Sequence, residues 1–190
     1  MSRQHRIWFP GAKYHITNRG NRRSSIFYDE QDHLAYLDLL KEVRSVFPFH
    51  LHAYCLMTNH IHLLIETIHH HPKYIMKMLN SRYAMYFNKR HHLVGHLFQG
   101  RYGAELIDTA EYLLDVSRYI HLNPVGANMV KSPEHYPWSS YSAYISNSHN
   151  LEIVTTKEIL SFFPEPQKDQ YRKFVEGKIT VPSNLSVDIQ

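Results

Sequence analysis

Cysteine is almost absent from this chain, since Cys55 is the only one among 190 residues. A single thiol excludes an internal disulfide and any zinc site built from several cysteines. Long apolar runs are also lacking, and none approaches the roughly 18 residues that a membrane-spanning helix needs. The basic, polar first residues contain no apolar segment of the kind that secretory signals carry. We therefore expect one cytoplasmic domain of ordinary size with an appended tail and no membrane partner.

Acidic residues are missing from the first 23 positions, which hold six lysines and arginines. The rest of the chain is nearly balanced, so this segment accounts for the whole positive excess behind the formal charge of +4. Such a block is typical of either a solvated terminus or a surface that binds phosphate groups. The run from Lys13 to Asn18 reads as an ordered strand, which favours the phosphate-binding surface.

Hydrophobic periodicity predicts strands and helices in alternation. The predicted strands are 12–18, 49–57, 60–66 and 102–107, and the predicted helices are 30–46, 72–90 and 109–122. Thr109 is the expected N-cap of the last helix, which should end before Pro124 because proline disfavours helical geometry in the preceding residue. This order is that of the ferredoxin-like split βαβ fold, an α+β class with an antiparallel sheet. The helix that follows the fourth strand is expected to cover the open face of the sheet.

The last part of the chain has a different character. Pro137 to Tyr141 form a compact aromatic turn, and helices are predicted at 156–163 and 167–176, the second ended by Gly177. We therefore expect a domain over residues 1–145 and a C-terminal helical extension over 146–190.

Histidine pairs with one residue between them occur three times, at His50/His52, His60/His62 and in the run 69–71. The spacing alone is therefore weak evidence for a metal site. Side chains alternate between the two faces of a strand, so His60 and His62 point the same way as Glu66. The intervening apolar residues, Ile61, Leu63 and Ile65, form a face that can pack on helices. Two imidazoles on a rigid strand could hold a metal ion with open positions for phosphate oxygens.

The helix predicted from Thr109 onwards carries a second group of polar side chains. Successive residues of a helix are about 100° apart, which places Tyr119 and Asn123 on one stripe and the core side at Leu113, Val116 and Ile120. By the same geometry His121 lies about 160° from Tyr119 and faces away from it. Tyr119 and Asn123 can therefore enter one site, whereas His121 cannot. From the residues alone, a structural and a functional tyrosine both remain open.

Five segments, in order along residues 10–145, resemble the motifs of the single-tyrosine HUH transposases, and among them the REP-associated tyrosine transposases. The segments are Leu56–Leu64 around the histidine pair, Arg118–Val125 around Tyr119, Tyr14–Asn21, Phe98–Tyr102 and Pro137–Tyr141. Five motifs in the same order are far more specific than any one of them.

This resemblance implies a ferredoxin-like fold that nicks and rejoins single-stranded, hairpin-forming DNA through a covalent 5′-phosphotyrosine. It assigns Tyr119 as the nucleophile and His60, His62 and Asn123 as ligands of a divalent metal, Mg or Mn. Candidates for contacts to the DNA backbone are Arg19, Arg22, Arg23 and Arg101. One departure is Gly126, which stands where relatives often have arginine after the Asn-Pro-Val segment.

Other interpretations stay open. The protein could be a metal-dependent phosphohydrolase that uses water, or a catalytically silent relative that only binds single-stranded DNA. Relatives act as monomers or as homodimers, so either state is compatible with the resemblance. Glu66 could orient a histidine ligand or be an ordinary carboxylate on the strand surface.

Overall fold

The computed structural model describes residues 7–146 and 153–177. Its elements follow the predicted order closely. The strands are β1 (Lys13–Arg19), β2 (Phe49–Met57), β3 (His60–Thr67) and β4 (Gly103–Ile107). The helices are α1 (Glu30–Val46), α2 (Pro72–Arg90), α3 (Ala110–Gly126), α4 (Tyr141–Ile145), α5 (Lys157–Ser161) and α6 (Gln167–Glu176).

The four strands form one antiparallel sheet in the order β2-β3-β1-β4. This order, with helices in the two crossovers, confirms the ferredoxin-like α+β fold. β3 is central, and His62 on it lies opposite Thr17 of β1 and Cys55 of β2. Side chains of β3 are therefore flanked on both sides by other strands, which restricts their movement.

Alternation along β3 divides its side chains between two hydrophobic cores. Ile61, Leu63 and Ile65 belong to the core that α1 and α2 cover, as predicted. Leu64 belongs to the second core on the other face, which contains α3. His60 and His62 alternate with the first set, so they lie on the α3 face of the sheet.

α3 begins as predicted, since the Thr109 hydroxyl accepts a hydrogen bond from the backbone N–H of Tyr112. Its predicted core residues, Leu113, Val116 and Ile120, are all buried. The predicted end at Leu122 is wrong, because the helix continues through Pro124 to Gly126. A proline lacks the N–H that would bond to the carbonyl four residues back, and here that loss falls in the last turn of the helix. The neighbouring carbonyls still accept, with Ala127 N–H donating to Asn123 O and Met129 N–H donating to Pro124 O, both at 2.9 Å.

The C-terminal residues pack against the α3 face. Tyr171 and Val175 of α6 and Ile159 of α5 are buried in the same core as α3. Two short segments also pair with the outer edge of β2, where Ser139 bridges Cys55 and Val154 bridges Leu51. Covering an exposed strand edge in this way prevents pairing with other chains. Residues 147–152 and 178–190 of the predicted extension lie outside the described residues, and the predicted boundary at 145/146 stays a prediction.

None of the helices found in residues 7–146 and 153–177 combines the length and apolar character that crossing a membrane demands.

Candidate active site

The histidine pair of β3 opens onto a cleft at the end of the sheet. His60 is half-buried and His62 is buried, and their ring centroids are 4.9 Å apart. The cleft has a volume of about 220 Å³. It is lined by Thr17, Asn18, Arg19, His60, His62, Gln99, Gly100, Arg101 and Gly103. Two of these nine residues are arginines and none is acidic, so the cleft suits an anionic ligand.

Neighbouring side chains fix the orientation of both rings. Nδ1 of His60 lies 2.7 Å from the Asn59 side-chain oxygen. An amide oxygen only accepts, so Nδ1 of His60 carries the hydrogen and Nε2 carries the lone pair. Nδ1 of His62 lies 3.0 Å from Nε2 of His15, whose ring stacks beside it. Metal-binding histidines commonly have such a partner on the second ring nitrogen.

Nε2 of His62 is buried and has no hydrogen-bond partner among the described residues. A buried polar atom without a partner is costly, and metal coordination would remove that cost. Burial lowers the pKa of His62 well below its usual value, and the neighbouring His15, His60 and Arg19 lower it further. Burial likewise lowers the pKa of His15 to about 4. Both rings are therefore neutral at neutral pH, which is the form of imidazole that binds metals.

Tyr119 of α3 meets the histidines edge-on. Its ring centroid lies 5.4 Å from that of His62 and 5.9 Å from that of His15. The side chain is half-buried, so the ring is not enclosed in the core. The structure thus brings together the tyrosine and the histidine that the sequence assigned to one site. Its role as a nucleophile stays a prediction.

Asn123 follows Tyr119 by four residues within α3, and it is half-buried. Residues four apart lie on the same face of a helix, so the continuation of α3 keeps Asn123 on the Tyr119 side. Its role as the third metal ligand stays a prediction.

The four predicted arginines separate into two pairs. Arg19, at the end of β1, and Arg101 both line the cleft. Arg22 and Arg23 lie instead on an exposed turn just beyond β1, outside the cleft lining. Their contacts to DNA stay predictions, and the cleft pair is the better placed to meet a bound phosphate.

The segment containing Phe98 to Tyr102 forms one wall of the cleft by pairing with the end of β1. Asn21 N–H donates to Leu97 O at 2.8 Å, and Gln99 N–H donates to Arg19 O at 2.9 Å. Gly103 closes this wall at the start of β4. A Cβ atom at Gly103 would lie only 2.5 Å from the Thr17 hydroxyl oxygen, so a larger residue would not fit without displacing that side chain.

Comparison with protein-family models gives a match over residues 9–123 to the family described as "Transposase IS200 like". The match covers more than half of the chain. The chain belongs to the IS200-like transposase family. No curated protein matches this transposase-family chain.

Two solved structures similar to this family member are also transposases by description. One is a REP-associated tyrosine transposase bound to a REP hairpin, with 18% identity and a TM-score of 0.67 over 82% of this chain and 90% of the other. This likeness shows a shared fold. The second is described as a transposase from Deinococcus radiodurans R1, with 20% identity and a TM-score of 0.43 over 58% of this chain and 89% of the other.

His121 lies outside the cleft of this IS200-like protein, as the helical angle predicted. It is fully buried, and its two ring nitrogens lie 2.8 Å from the Tyr171 hydroxyl and 2.8 Å from the Ser140 hydroxyl. Burial lowers the pKa of His121 to about 3, so the ring is a neutral part of the second core. It joins α3 to α6 and to the aromatic turn before α4.

Glu66 serves the other end of β3, not the predicted histidine pair. Its side chain lies 3.1 Å from Nε2 of His52 and 3.5 Å from Nζ of Lys13. His52, Glu66 and Glu158 have ligand atoms close enough together to hold a metal ion. The interpretation of Glu66 as a partner of His60 or His62 therefore receives no support.

Sequence reasoning missed His15 as a member of the site. Alternation along β1 puts His15 and Thr17 on one face, but that does not reveal which β3 residues they meet. The pairing of His15 with Leu64 and of Thr17 with His62 supplies that information. A correct guess of the β1–β3 register would have placed His15 diagonally beside His62.

Proposed function

We propose that this IS200-like transposase nicks and rejoins single-stranded, hairpin-forming DNA through a covalent 5′-phosphotyrosine formed at Tyr119. The observation that carries the proposal is the contact of the Tyr119 ring with His62, whose buried Nε2 has no hydrogen-bond partner within residues 7–146 and 153–177. The tyrosine ring thus lies beside a histidine that lines the cleft, with centroids 5.4 Å apart. Family membership and the arginine-lined, acid-free character of that cleft support a nucleic-acid substrate.

The donor atoms beside the cleft suit a divalent metal ion. His60 and His62 offer two neutral ring nitrogens, and Asn123 would add an amide oxygen as the third ligand. Nitrogen and neutral oxygen donors leave open positions and no negative charge to oppose a phosphate. A divalent cation, Mg²⁺ or Mn²⁺, bound there would polarise the scissile phosphate and stabilise the charge that develops on it.

The chain's own residues then perform the remaining steps. Arg19 and Arg101 hold the DNA backbone so that the scissile phosphorus faces the Tyr119 oxygen. The Tyr119 oxygen forms a bond to phosphorus as the bond to the 3′-oxygen breaks. The phenol loses its proton to solvent, and the leaving 3′-oxygen gains one. Attack by another 3′-hydroxyl on the phosphotyrosine reverses these events, rejoins the strand and regenerates Tyr119 without ATP.

The test is incubation of the full chain with stem-loop single-stranded DNA and Mg²⁺, followed by a denaturing gel. We expect cleavage and a covalent protein–DNA band, both absent in Tyr119→Phe. Tyr112→Phe is the matched control, because it removes a phenol hydroxyl from the same helix. Cleavage that survives in Tyr119→Phe would favour a hydrolase that uses water. Tight binding without any cleavage would favour a silent DNA-binding relative.

A further inference from the structure

A second group of side chains that could bind a metal ion lies at the end of β3 farthest from the cleft. His52 of β2, Glu66 of β3 and Glu158 of α5 each contribute one ligand atom, and these atoms all lie within 4.8 Å of one another. The His52 side chain is 1% exposed, so it is held firmly in place. The three residues come from three different elements that meet only in the folded chain.

A β-bulge aims His52 at the two carboxylates. In the pairing of β2 with β3, Leu51 lies opposite Ile65 and Ala53 lies opposite Leu64, so His52 is an extra residue in β2. A bulge interrupts the alternation of side chains and redirects the inserted residue. Bulges of this kind occur often beside functional sites, where they place one side chain.

The contacts of His52 leave its Nε2 facing two carboxylate oxygens. Nδ1 lies 3.2 Å from the Thr155 carbonyl oxygen, which only accepts, so Nδ1 carries the hydrogen. Nε2 faces an oxygen of Glu66 at 3.1 Å and an oxygen of Glu158 at 3.5 Å. In a neutral ring Nε2 carries a lone pair that these oxygens repel, so either a proton on Nε2 or a metal ion between the three atoms must offset the repulsion.

The distances from Nε2 of His52 to the two carboxylate oxygens suit a small metal ion. Ligand atoms placed about 2.0–2.1 Å from a tetrahedral zinc ion lie roughly 3.3 Å from one another. The two distances from Nε2 of His52, 3.1 and 3.5 Å, bracket that value. A cavity beside the group, lined also by His50 and Ser161, gives room for a water as a fourth ligand.

Lys13 supplies a positive charge close to both carboxylates. Its Nζ lies 3.0 Å from Oε1 of Glu158, whereas the other oxygen, Oε2, faces His52. Lys13 therefore holds Glu158 by one oxygen and turns the other toward the imidazole. Its second contact, 3.5 Å to Oε2 of Glu66, is longer.

We propose that His52, Glu66 and Glu158 bind a divalent transition-metal ion of the zinc class, separate from the metal of the DNA-cleaving cleft. One imidazole nitrogen and two carboxylate oxygens are donors that Zn²⁺ accepts. The ion joins β2 and β3 to α5 and thereby fastens the C-terminal helices to the sheet. Its role is structural, because two carboxylates beside the ion repel a DNA phosphate.

The experiment measures Zn²⁺ binding to the full chain by calorimetric titration, with circular dichroism as the check on folding. Glu158→Gln removes one ligand charge at nearly constant size. Glu30→Gln makes the same change at an exposed site in the first turn of α1 and serves as the matched control. Both substitutions are then repeated in a protein that also carries His60→Ala and His62→Ala, which remove two of the three proposed ligands of the cleft.

We expect Glu158→Gln to weaken the binding of one Zn²⁺ ion and Glu30→Gln to leave every binding constant unchanged. With the cleft histidines removed, one ion should still bind, and Glu158→Gln should weaken it by about tenfold or more. Equal binding by the Glu158→Gln and Glu30→Gln proteins would overturn the proposal. So would the absence of zinc after loss of the cleft histidines in a folded protein, which would make a protonated His52 the cation of the group.

Discussion

The two ends of β3 present similar side chains in opposite electrostatic settings. At its start, His60 and His62 are oriented by neutral partners, Asn59 and His15, beside two arginines. At its end, Glu66 joins His52 and a second carboxylate. An ion at the first end would need a further anion to balance its charge, and a DNA phosphate can supply it. At the second end the protein supplies that charge itself. The same spacing of two histidines therefore occurs in two different electrostatic settings, and the spacing alone does not distinguish them.

The largest effect should come from mutating one histidine at each end of β3 and comparing the rates of DNA cleavage. We expect His62→Ala to lower the rate of DNA cleavage more than about 100-fold, because loss of the proposed ligand should exceed the 10–100-fold effect typical of supporting residues. His52→Ala should leave the cleavage rate nearly unchanged, since His52 lies outside the cleft. Single-turnover cleavage of a stem-loop substrate measures both rates. Equal losses in two folded proteins would contradict the distinction between the ends.

A smaller loss is expected from His15, which touches His62 but is not assigned as a ligand. His15→Ala should reduce cleavage about 10–100-fold and raise the Mg²⁺ concentration needed for half-maximal rate. His15→Gln should recover part of the loss, because its amide can still hydrogen-bond to His62. A metal titration of the rate separates this positioning role from simple destabilisation. An unchanged metal requirement in His15→Ala would show that His15 acts only in packing.

The charge of the cleft should appear in the salt dependence of DNA binding. Arg101→Ala should weaken binding to all sequences alike and reduce the slope of log K against log salt by about 1. Lys41→Ala is the matched control, because this lysine projects from α1 on the other side of the sheet and pairs with Asp38. Fluorescence anisotropy at several salt concentrations gives both slopes. If the two variants give the same slope as the unmodified chain, Arg101 makes no phosphate contact.

The smallest effect concerns stability at the carboxylate end. Without added metal, Glu158→Gln should change the free energy of unfolding by less than about 1 kcal/mol, because partly exposed ion pairs contribute little. The partly exposed Lys13–Glu158 pair is of this type. With Zn²⁺ present the difference from the unmodified chain should widen. Urea unfolding with and without Zn²⁺ measures it, and a difference that does not depend on zinc would argue against the ion.

Local sequence patterns predicted most of the fold because they depend on neighbours along the chain. Strand alternation assigned His60 and His62 to the face opposite Ile61, and helical angle separated Tyr119 from His121. Both assignments agree with the structure. Thr109 as N-cap was likewise a local feature, in which one side chain binds one nearby N–H.

The features that the sequence did not predict depend on contacts between distant segments. The approach of His15 to His62 follows from the register of β1 against β3, which alternation alone does not specify. The aim of His52 at Glu66 follows from a bulge that interrupts the pattern. Pro124 stays helical because it lies in the last turn of α3, where one missing N–H costs little. The general preference of proline had predicted that the helix ends before it. Such features became visible only in three dimensions.

The central claim, that Tyr119 attacks the DNA, can be tested on the adduct itself. Trypsin cuts after Arg118 and Lys131, so Tyr119 lies in a peptide of residues 119–131 that contains no other tyrosine, serine or threonine, while Tyr112 lies in the preceding peptide. The protein is trapped with stem-loop DNA, digested with nuclease and trypsin, and analysed by mass spectrometry. We predict that a nucleotide, joined through its 5′-phosphate, is found on peptide 119–131 alone. Modification of the Tyr112 peptide instead, or cleaved DNA with no modified peptide, would contradict the account.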